Sequence, residues 1–284
     1  MPELPEVETQ VRDLQVIVGK KILKITSNTQ KAFKPSFSKF KKQLENKKIL
    51  AISRRAKFIV FSLSGDLILL MHFRMTGHFL LSKNSTALEK HIRHTLQLSG
   101  GIYLQFSDIR KFATLKLVRQ KNFADLSEIA KLGPEPLEKS FTAQILEERF
   151  RSKRGMLKAV LLDQSFVAGI GNIYADEICF EARLHPAMRV EKLNKQSIVK
   201  IFRAIRNQLR QGVRNRGTTI GEYVDARGRA GKNQNTLFAY RRHGKPCKIC
   251  GQEMQKMKIV QRTTSFCPKC QKNAKCKTLN VKYF

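Results

Sequence analysis

The chain has 284 residues, 42% of them hydrophobic, and a formal net charge of +33. That length and apolar share suit a soluble protein of two domains that folds over most of its length, not a disordered chain. A positive surplus this large repels itself in a compact fold and implies an anionic partner. Nucleic acid is the first candidate and an anionic membrane surface the rival.

The N-terminus lacks the basic-then-apolar layout of a signal peptide, so a reducing, cytoplasmic compartment is expected. The spacing predicts a first helix after Pro5, with Val7, Val11, Leu14 and Val18 on one face and Gly19 as the stop. Glu3, Glu6 and Glu8 gather at the positive end of its dipole. The stretch "MPELPEVET" also carries possible chemistry. Removal of Met1 would leave Pro2 as a secondary amine. An α-amino group has a reference pKa of about 8, so part of it is unprotonated near neutral pH. Such an amine attacks carbonyl-like carbon to give an imine or iminium. With Glu3 beside it and Glu6 one turn away, attack on a sugar C1′ with protonation of the ring oxygen becomes feasible. The plainer reading is that Pro2 and Pro5 only stiffen a helix start.

From Lys21 to about Arg119 the pattern is that of strands. "FIVFSLSGDLILLMHF" reads as two strands around a Ser-Gly-Asp turn, and "TLQLSGGIYLQF" as a hairpin around Gly100 and Gly101. "ATLKLVRQ" alternates again. The longest apolar run, "LILLMHF", is far below the roughly 18 residues of a membrane-spanning helix. A β-sandwich or barrel is expected. "KLGPEPLEKS" (131–140) marks a domain boundary, and helical periodicity follows from Phe141 to about Arg214. Residues 218–234 are polar and rich in glycine and arginine, and are expected to form a mobile loop.

Near the end, Cys247, Cys250, Cys267 and Cys270 form two Cys-x-x-Cys pairs with sixteen residues between them. In a reducing compartment this spacing reads as a zinc ribbon, with one structural Zn2+ and no open coordination position. No βαβ pattern supports a thioredoxin-like alternative. Cys179 is expected to be a buried structural thiol and Cys276 an incidental free one. The tail after Gln271 is basic, through Lys272, Lys275, Lys277 and Lys282, and "TLNVKYF" could add a strand.

Taken together, "MPELPEVET", "RRAKF", "HFRMTGHF", "KHIRH", "DIRKF", "LGPEPL", "LLDQSFVAGIGNIYADEICF" and the cysteine pairs closely resemble the bacterial formamidopyrimidine-DNA glycosylases over nearly the whole chain. The resemblance implies a multidomain α+β fold: an N-terminal β-sandwich with a leading helix (1–131), a linker (132–140), a helix–two-turns–helix domain with a lesion-capping loop (141–235), a zinc finger (236–271) and a basic tail (272–284). DNA would lie between the halves.

The resemblance also implies roles. Pro2 would be the Schiff-base nucleophile and Glu3 the general acid, with Glu6 in support. Lys57 would donate a proton in β-elimination; alone it would read equally well as a solvated charge. Met75, Arg110 and Phe112 match a wedge that fills the gap left by an extruded nucleotide, although composition alone favours strand core residues for Met75 and Phe112. Ile109 and Ala113 stand where the family usually has proline and glycine. His91, Arg154 and Lys158 match DNA contacts near the lesion; His91 alone would read as an ordinary surface histidine. "VAGIGN" would present helix N–H groups and Asn172 to a phosphate, or would simply be a helix–helix turn. Arg262, on the ribbon's turn, would contact phosphates flanking the lesion. Thr218, Thr219 and Tyr223 match the loop that covers the flipped base, and Arg241 replaces a usual glycine.

The implied activity is base-excision repair by a bifunctional glycosylase and abasic-site lyase acting on oxidised purines in double-stranded DNA. The expected protein is a monomer, cytoplasmic and nucleoid-associated, with no membrane partner. Two alternatives remain. One is an endonuclease VIII-like enzyme for oxidised pyrimidines, which Leu4 disfavours because that branch usually has glycine there. The other is a non-catalytic zinc-ribbon nucleic-acid-binding protein, which charge and cysteines alone would support equally.

Overall fold

The computed structural model describes residues 1–86, 88 and 90–272. Helix α1 spans Leu4–Leu14, and Leu4, Val7, Val11 and Leu14 are buried along one face. Val18 departs from the expected stripe. A 3-10 turn at Gln15–Ile17 follows the helix, and at three residues per turn the next inward position is Ile17. Val18 is extended and exposed.

Next come β1 (Ile22–Ser27), β2 (Phe33–Lys34), α2 (Phe37–Leu44), β3 (Ile49–Arg55), β4 (Phe58–Leu63), β5 (Leu67–His72), β6 (His78–Ser82), β7 (Ile92–Leu98), β8 (Ile102–Ser107), β9 (Thr114–Arg119) and α3 (Ser127–Ala130). They form a four-stranded sheet, β1-β7-β8-β6, and a five-stranded sheet, β2-β9-β5-β4-β3. All pairs are antiparallel except β2 with β9. Alternation along β7 puts Leu96 and Leu98 inside, and near-continuous burial of β5 follows from its central place. Phe79, Leu96, Leu104 and Phe106 of one sheet share a core with Ile59, Phe61, Leu69 and Leu115 of the other, which makes this a sandwich. Val7, Val11 and Leu14 of α1 join that core. Each such side chain contributes about 1.5–3 kcal/mol by leaving water, so α1 is fixed to the sandwich by several of them.

Helices α4 (Ala143–Arg151), α5 (Leu157–Leu162), α6 (Asn172–Glu181) and α7 (Lys195–Arg214) follow, then the hairpin β10 (Gln255–Ile259) and β11 (Arg262–Phe266). Thr142 caps α4 by accepting the Ile145 N–H. The turns between α5 and α6 are knotted by Gln164, which donates to the carbonyls of Leu162 and Ile170 and accepts the Gly169 N–H. Cys179 is fully buried in α6, as expected, and burial pushes its thiol well above the ordinary range.

Among the described residues the chain divides into two compact units: 1–131 with 212–234, and 132–211 with 235–272. Residues 212–234, expected within a domain of 141–235, group here with the N-terminal unit. Among the described residues no helix is long and apolar enough to cross a membrane. Cys276, "TLNVKYF" and the tail lysines beyond Lys272 lie outside the described residues.

Candidate active site

The N-terminal end of α1 is enclosed. Pro2 is buried, and Glu3 and Glu6 are each 2% exposed. The Glu6 carboxylate takes the Glu3 N–H on one oxygen (2.8 Å) and the Thr218 N–H on the other (2.7 Å). The Tyr223 hydroxyl donates to the Glu6 carbonyl (3.1 Å), and burial with the nearby Glu6 charge raises its phenol pKa well above the usual value. Glu6 thus joins the Pro2–Glu3 turn to a segment more than two hundred residues away.

That junction extends along a polar stripe on α1. Glu6, Gln10 and Asp13 are all buried and recur at helical spacing beside the apolar face. Gln10 accepts the Phe79 N–H and donates to the Val224 carbonyl. Asp13 accepts from the Arg216 guanidinium (2.5 Å) and from the Ala226 N–H. Arg216 also donates to Asp225, which receives the N–H groups of Arg227 and Arg229 and the Arg229 guanidinium. Burial raises the Asp225 carboxyl pKa, but these donors outweigh it and hold the group below the ordinary range.

Residues 218–234 are therefore irregular, as expected, but they are not a loose loop. Thr219 donates to the Tyr223 carbonyl and accepts the Gly231 N–H, and Thr218 accepts from Asn233. Close approach explains two glycines. A Cβ on Gly217 (φ +83°) would lie 2.9 Å from the Glu6 Cγ, and one on Gly231 would lie 2.2 Å from the Gly217 carbonyl oxygen. Sequence reading found Thr218, Thr219 and Tyr223 but missed Gln10, Asp13, Arg216 and Asp225. The available signal was the polar stripe on an otherwise apolar helix.

Lys57 sits in the turn between β3 and β4 yet is only 6% exposed. Arg54 bridges the turn to α1: it donates to Glu8 (3.0 Å) and to the Ala56 carbonyl (3.0 Å). His72, opposite Phe58 in the sheet, packs edge-on against that ring at 4.7 Å. Burial first, then the Arg74 and Lys57 charges, lower its pKa to about 3, so it is neutral and its Nδ1 accepts the Arg74 N–H.

Arg110 and Phe112 are exposed, Phe112 to 52%, with the guanidinium 4.7 Å over the ring; Met75 is half-buried. His91 is half-buried, with its ring 3.3 Å from the Arg93 guanidinium.

In the second unit, Lys158 differs from the expected surface DNA contact. It is fully buried, and its ammonium lies 2.6 Å from Asp176, 2.8 Å from the Thr264 hydroxyl and 3.2 Å from the Thr263 carbonyl. Two hydrogen bonds go to β11 and the charge is paired with Asp176, so the ammonium is enclosed within the protein. The reason is that α5 packs on α6 and α6 on β11, which leaves this lysine enclosed among the three. Burial raises the Asp176 carboxyl pKa to about 7, with Lys158 pulling the other way. Asn172 at the start of α6 donates to the same Thr263 carbonyl (3.4 Å). Arg154 is exposed and its guanidinium donates to the Arg151 and Lys153 carbonyls.

Arg262 is exposed and opens β11 directly after the turn. The turn residues Val260 and Gln261 both have positive φ, as a two-residue hairpin requires. Arg241 likewise has φ +57°, which explains why glycine suits that position. The backbone leading into it is held by the buried Glu177 carboxylate, which accepts the N–H groups of Phe238, Ala239 and Tyr240.

The four cysteine sulfurs all lie within 4.8 Å of one another, with Cys247–Cys270 at 3.9 Å and Cys250–Cys267 at 3.6 Å. Zinc–thiolate bonds of about 2.3 Å in a tetrahedron place sulfurs about 3.8 Å apart, so the cluster fits one Zn2+ with no open position. Zinc here is structural, and it braces the hairpin that presents Arg262.

These features define a class: a β-sandwich whose leading helix buries an N-terminal proline and two glutamates, joined in sequence to a helical unit with a zinc ribbon. Three family models match in that order: "Formamidopyrimidine-DNA glycosylase N-terminal domain" over residues 1–115, "Formamidopyrimidine-DNA glycosylase H2TH domain" over 132–223 and "Zinc finger found in FPG and IleRS" over 244–273. The formamidopyrimidine-DNA glycosylase of Pelotomaculum thermopropionicum is 40% identical over 274 residues, covering 96% of this chain and 99% of its own. That of Desulfitobacterium hafniense is 41% identical over 273 residues, covering 95% and 100%. A Lactococcus lactis Fpg solved with DNA containing an abasic site is 36% identical, with a TM-score of 0.89 over 95% of this chain and 100% of that one. The same protein solved with DNA containing N7-benzyl-Fapy-dG gives 36% and 0.89 over 96% and 100%. This chain belongs to the formamidopyrimidine-DNA glycosylase family.

Proposed function

We propose that this protein is a bifunctional DNA glycosylase and abasic-site lyase of base-excision repair, acting on oxidised purines such as 8-oxoguanine and formamidopyrimidines in duplex DNA. The observation that carries the reading is the buried cluster at the start of α1. There the Glu3 N–H, next to Pro2, is held by Glu6, which is itself bonded to Thr218 and Tyr223. With Met1 removed, the Pro2 nitrogen attacks C1′. The N–C1′ bond forms, the glycosidic bond breaks, and the base leaves with that electron pair and a proton. Glu3 protonates the ring oxygen as the C1′–O bond opens to an iminium. Loss of a C2′ proton expels the 3′ phosphate, and a second elimination expels the 5′ phosphate. Hydrolysis then frees Pro2. Lys57 serves as proton donor in the first elimination, and Arg262 holds the flanking phosphates through the second.

Met75, Arg110 and Phe112 fill the space of the extruded nucleotide, offsetting an unstacking cost of a few kcal/mol, roughly. His91, Arg154 and Asn172 contact the backbone. Thr218, Thr219 and Tyr223 form the floor on which the capping loop is built. The net charge of +33 drives association by counterion release. The protein acts as a cytoplasmic, nucleoid-associated monomer.

A second reading, activity on oxidised pyrimidines, is kept because the Lactococcus lactis Fpg has also been solved with oxidised pyrimidine-containing DNA. The test is borohydride trapping on duplexes with 8-oxoguanine opposite cytosine, alongside duplexes with an oxidised pyrimidine. A covalent adduct on the first supports the main reading, and a preference for the second supports the other. No adduct from Met1-processed protein leaves only DNA binding.

A further inference from the structure

We infer that Thr76 and Asp108 are positioning residues that lock the two wedge-bearing loops into one piece. The inference rests on the wedge assignment made above. Met75 lies between β5 and β6, whereas Arg110 and Phe112 lie between β8 and β9. Asp108 is 1% exposed, and its carboxylate sits between the two loops. One oxygen accepts the Thr76 hydroxyl at 2.6 Å and the Arg110 N–H at 3.2 Å. The other accepts the Ala113 N–H at 2.9 Å. The Thr76 hydroxyl oxygen also accepts the Arg110 N–H at 3.2 Å.

The backbone on both sides of Phe112 is thus tied to one buried carboxylate, and that carboxylate is tied to the residue following Met75. Asp108 is itself anchored: its N–H donates to the His91 carbonyl, and its carbonyl accepts from Arg93. The first loop is seated equally firmly, since a Cβ on Gly77 would lie 2.7 Å from the Phe106 ring.

Ile109 and Ala113, the two departures from the family pattern, lie inside the turn that Asp108 holds at 110 and 113. Ala113 is buried and is not among the described residues with positive φ. The functional consequence follows from preorganisation. Two independent loops would each lose freedom on entering the base stack, whereas one tied piece loses it once, during folding. An abasic site has no base to extrude, so its cleavage depends less on the tie.

The test uses the full zinc-loaded chain and a duplex carrying 2-aminopurine beside 8-oxoguanine, followed by fluorescence and single-turnover excision. Cleavage of a preformed abasic site is measured in parallel. Thr76→Val keeps size and removes the hydroxyl; Thr76→Ser keeps the hydroxyl. The expected result for Thr76→Val is a loss of about tenfold in flipping and excision rates, the scale of one net hydrogen bond. KM and abasic-site cleavage stay unchanged, and Thr76→Ser recovers the wild-type rates. Wild-type rates in Thr76→Val, equal slowing of excision and abasic cleavage, or failure of Thr76→Ser to recover would each overturn the tie. Phe112→Ala separates the layers. If it too leaves flipping unchanged, the wedge assignment falls. If it abolishes the signal while Thr76→Val does not, only the Thr76–Asp108 role falls.

Discussion

Replacing Lys158 by methionine removes an ammonium and keeps most of the stem, which isolates the charge. In the wild type that charge faces Asp176 at 2.6 Å, and neither group reaches solvent. Without it, Asp176 must either stay ionised in a dry site or take up a proton. Burial raises the Asp176 carboxyl pKa even with Lys158 beside it, and losing the ammonium raises it further. Breaking one side of a buried ion pair costs roughly 3–5 kcal/mol, and that is the loss expected here. The double variant Lys158→Met with Asp176→Leu removes the orphaned charge and should regain most of that loss. It leaves the Ser265 N–H, now a donor to Asp176, without an acceptor, at about 1–3 kcal/mol. The assay is urea unfolding at pH 7, with amide exchange of the β10–β11 hairpin as a local readout. A single variant as stable as wild type but weak in DNA binding would refute the buried-pair account and restore a surface role for Lys158.

Gly217→Ala should destabilise by about 2 kcal/mol or more, because φ +83° disfavours a Cβ and Glu6 lies 2.9 Å away; thermal unfolding and borohydride trapping should fall together. Burial lowers the His94 pKa to about 4, with Asp108 opposing and Arg93 assisting. The folded state therefore binds that proton less than the unfolded state. Stability complete above pH 6.5 should fall by about 3 kcal/mol as pH drops to 4, read by urea midpoints; His94→Phe should flatten that limb. Chelation of zinc should unfold β10–β11 and weaken DNA binding while leaving exchange protection in the β-sandwich intact; unchanged binding would contradict the bracing role of the metal. Arg241→Gly should be neutral or stabilising by up to about 1 kcal/mol in urea unfolding, since it relieves a left-handed residue.

The readable features of the sequence were those set by local rules. The Ser-Gly-Asp and Gly-Gly turns, the helical spacing of Val7, Val11 and Leu14, and the cysteine spacing each specify structure over a few residues. Long-range polar partnerships were not readable. Asp13 with Arg216, and Lys158 with Asp176, look like ordinary solvated charges until the fold brings their partners together. Lys158 was matched to a DNA contact by resemblance alone, and nothing local in its sequence shows that it is enclosed among α5, α6 and β11. Val18 was misread because a 3-10 turn changes the period from 3.6 to 3 without a strong local signal. The segment 218–234 has loop composition, yet Thr218, Tyr223, Val224 and Ala226 are hydrogen-bonded to α1.

The central claim is that the Pro2 nitrogen bonds to the sugar. Its most direct test is to trap the protein on 8-oxoguanine duplex with borohydride, digest the adduct and sequence the modified peptide by mass spectrometry. The account predicts a deoxyribose-derived mass on a peptide that begins at Pro2, with Met1 absent. A modified lysine such as Lys57, or a trapped peptide that still carries Met1, would contradict it.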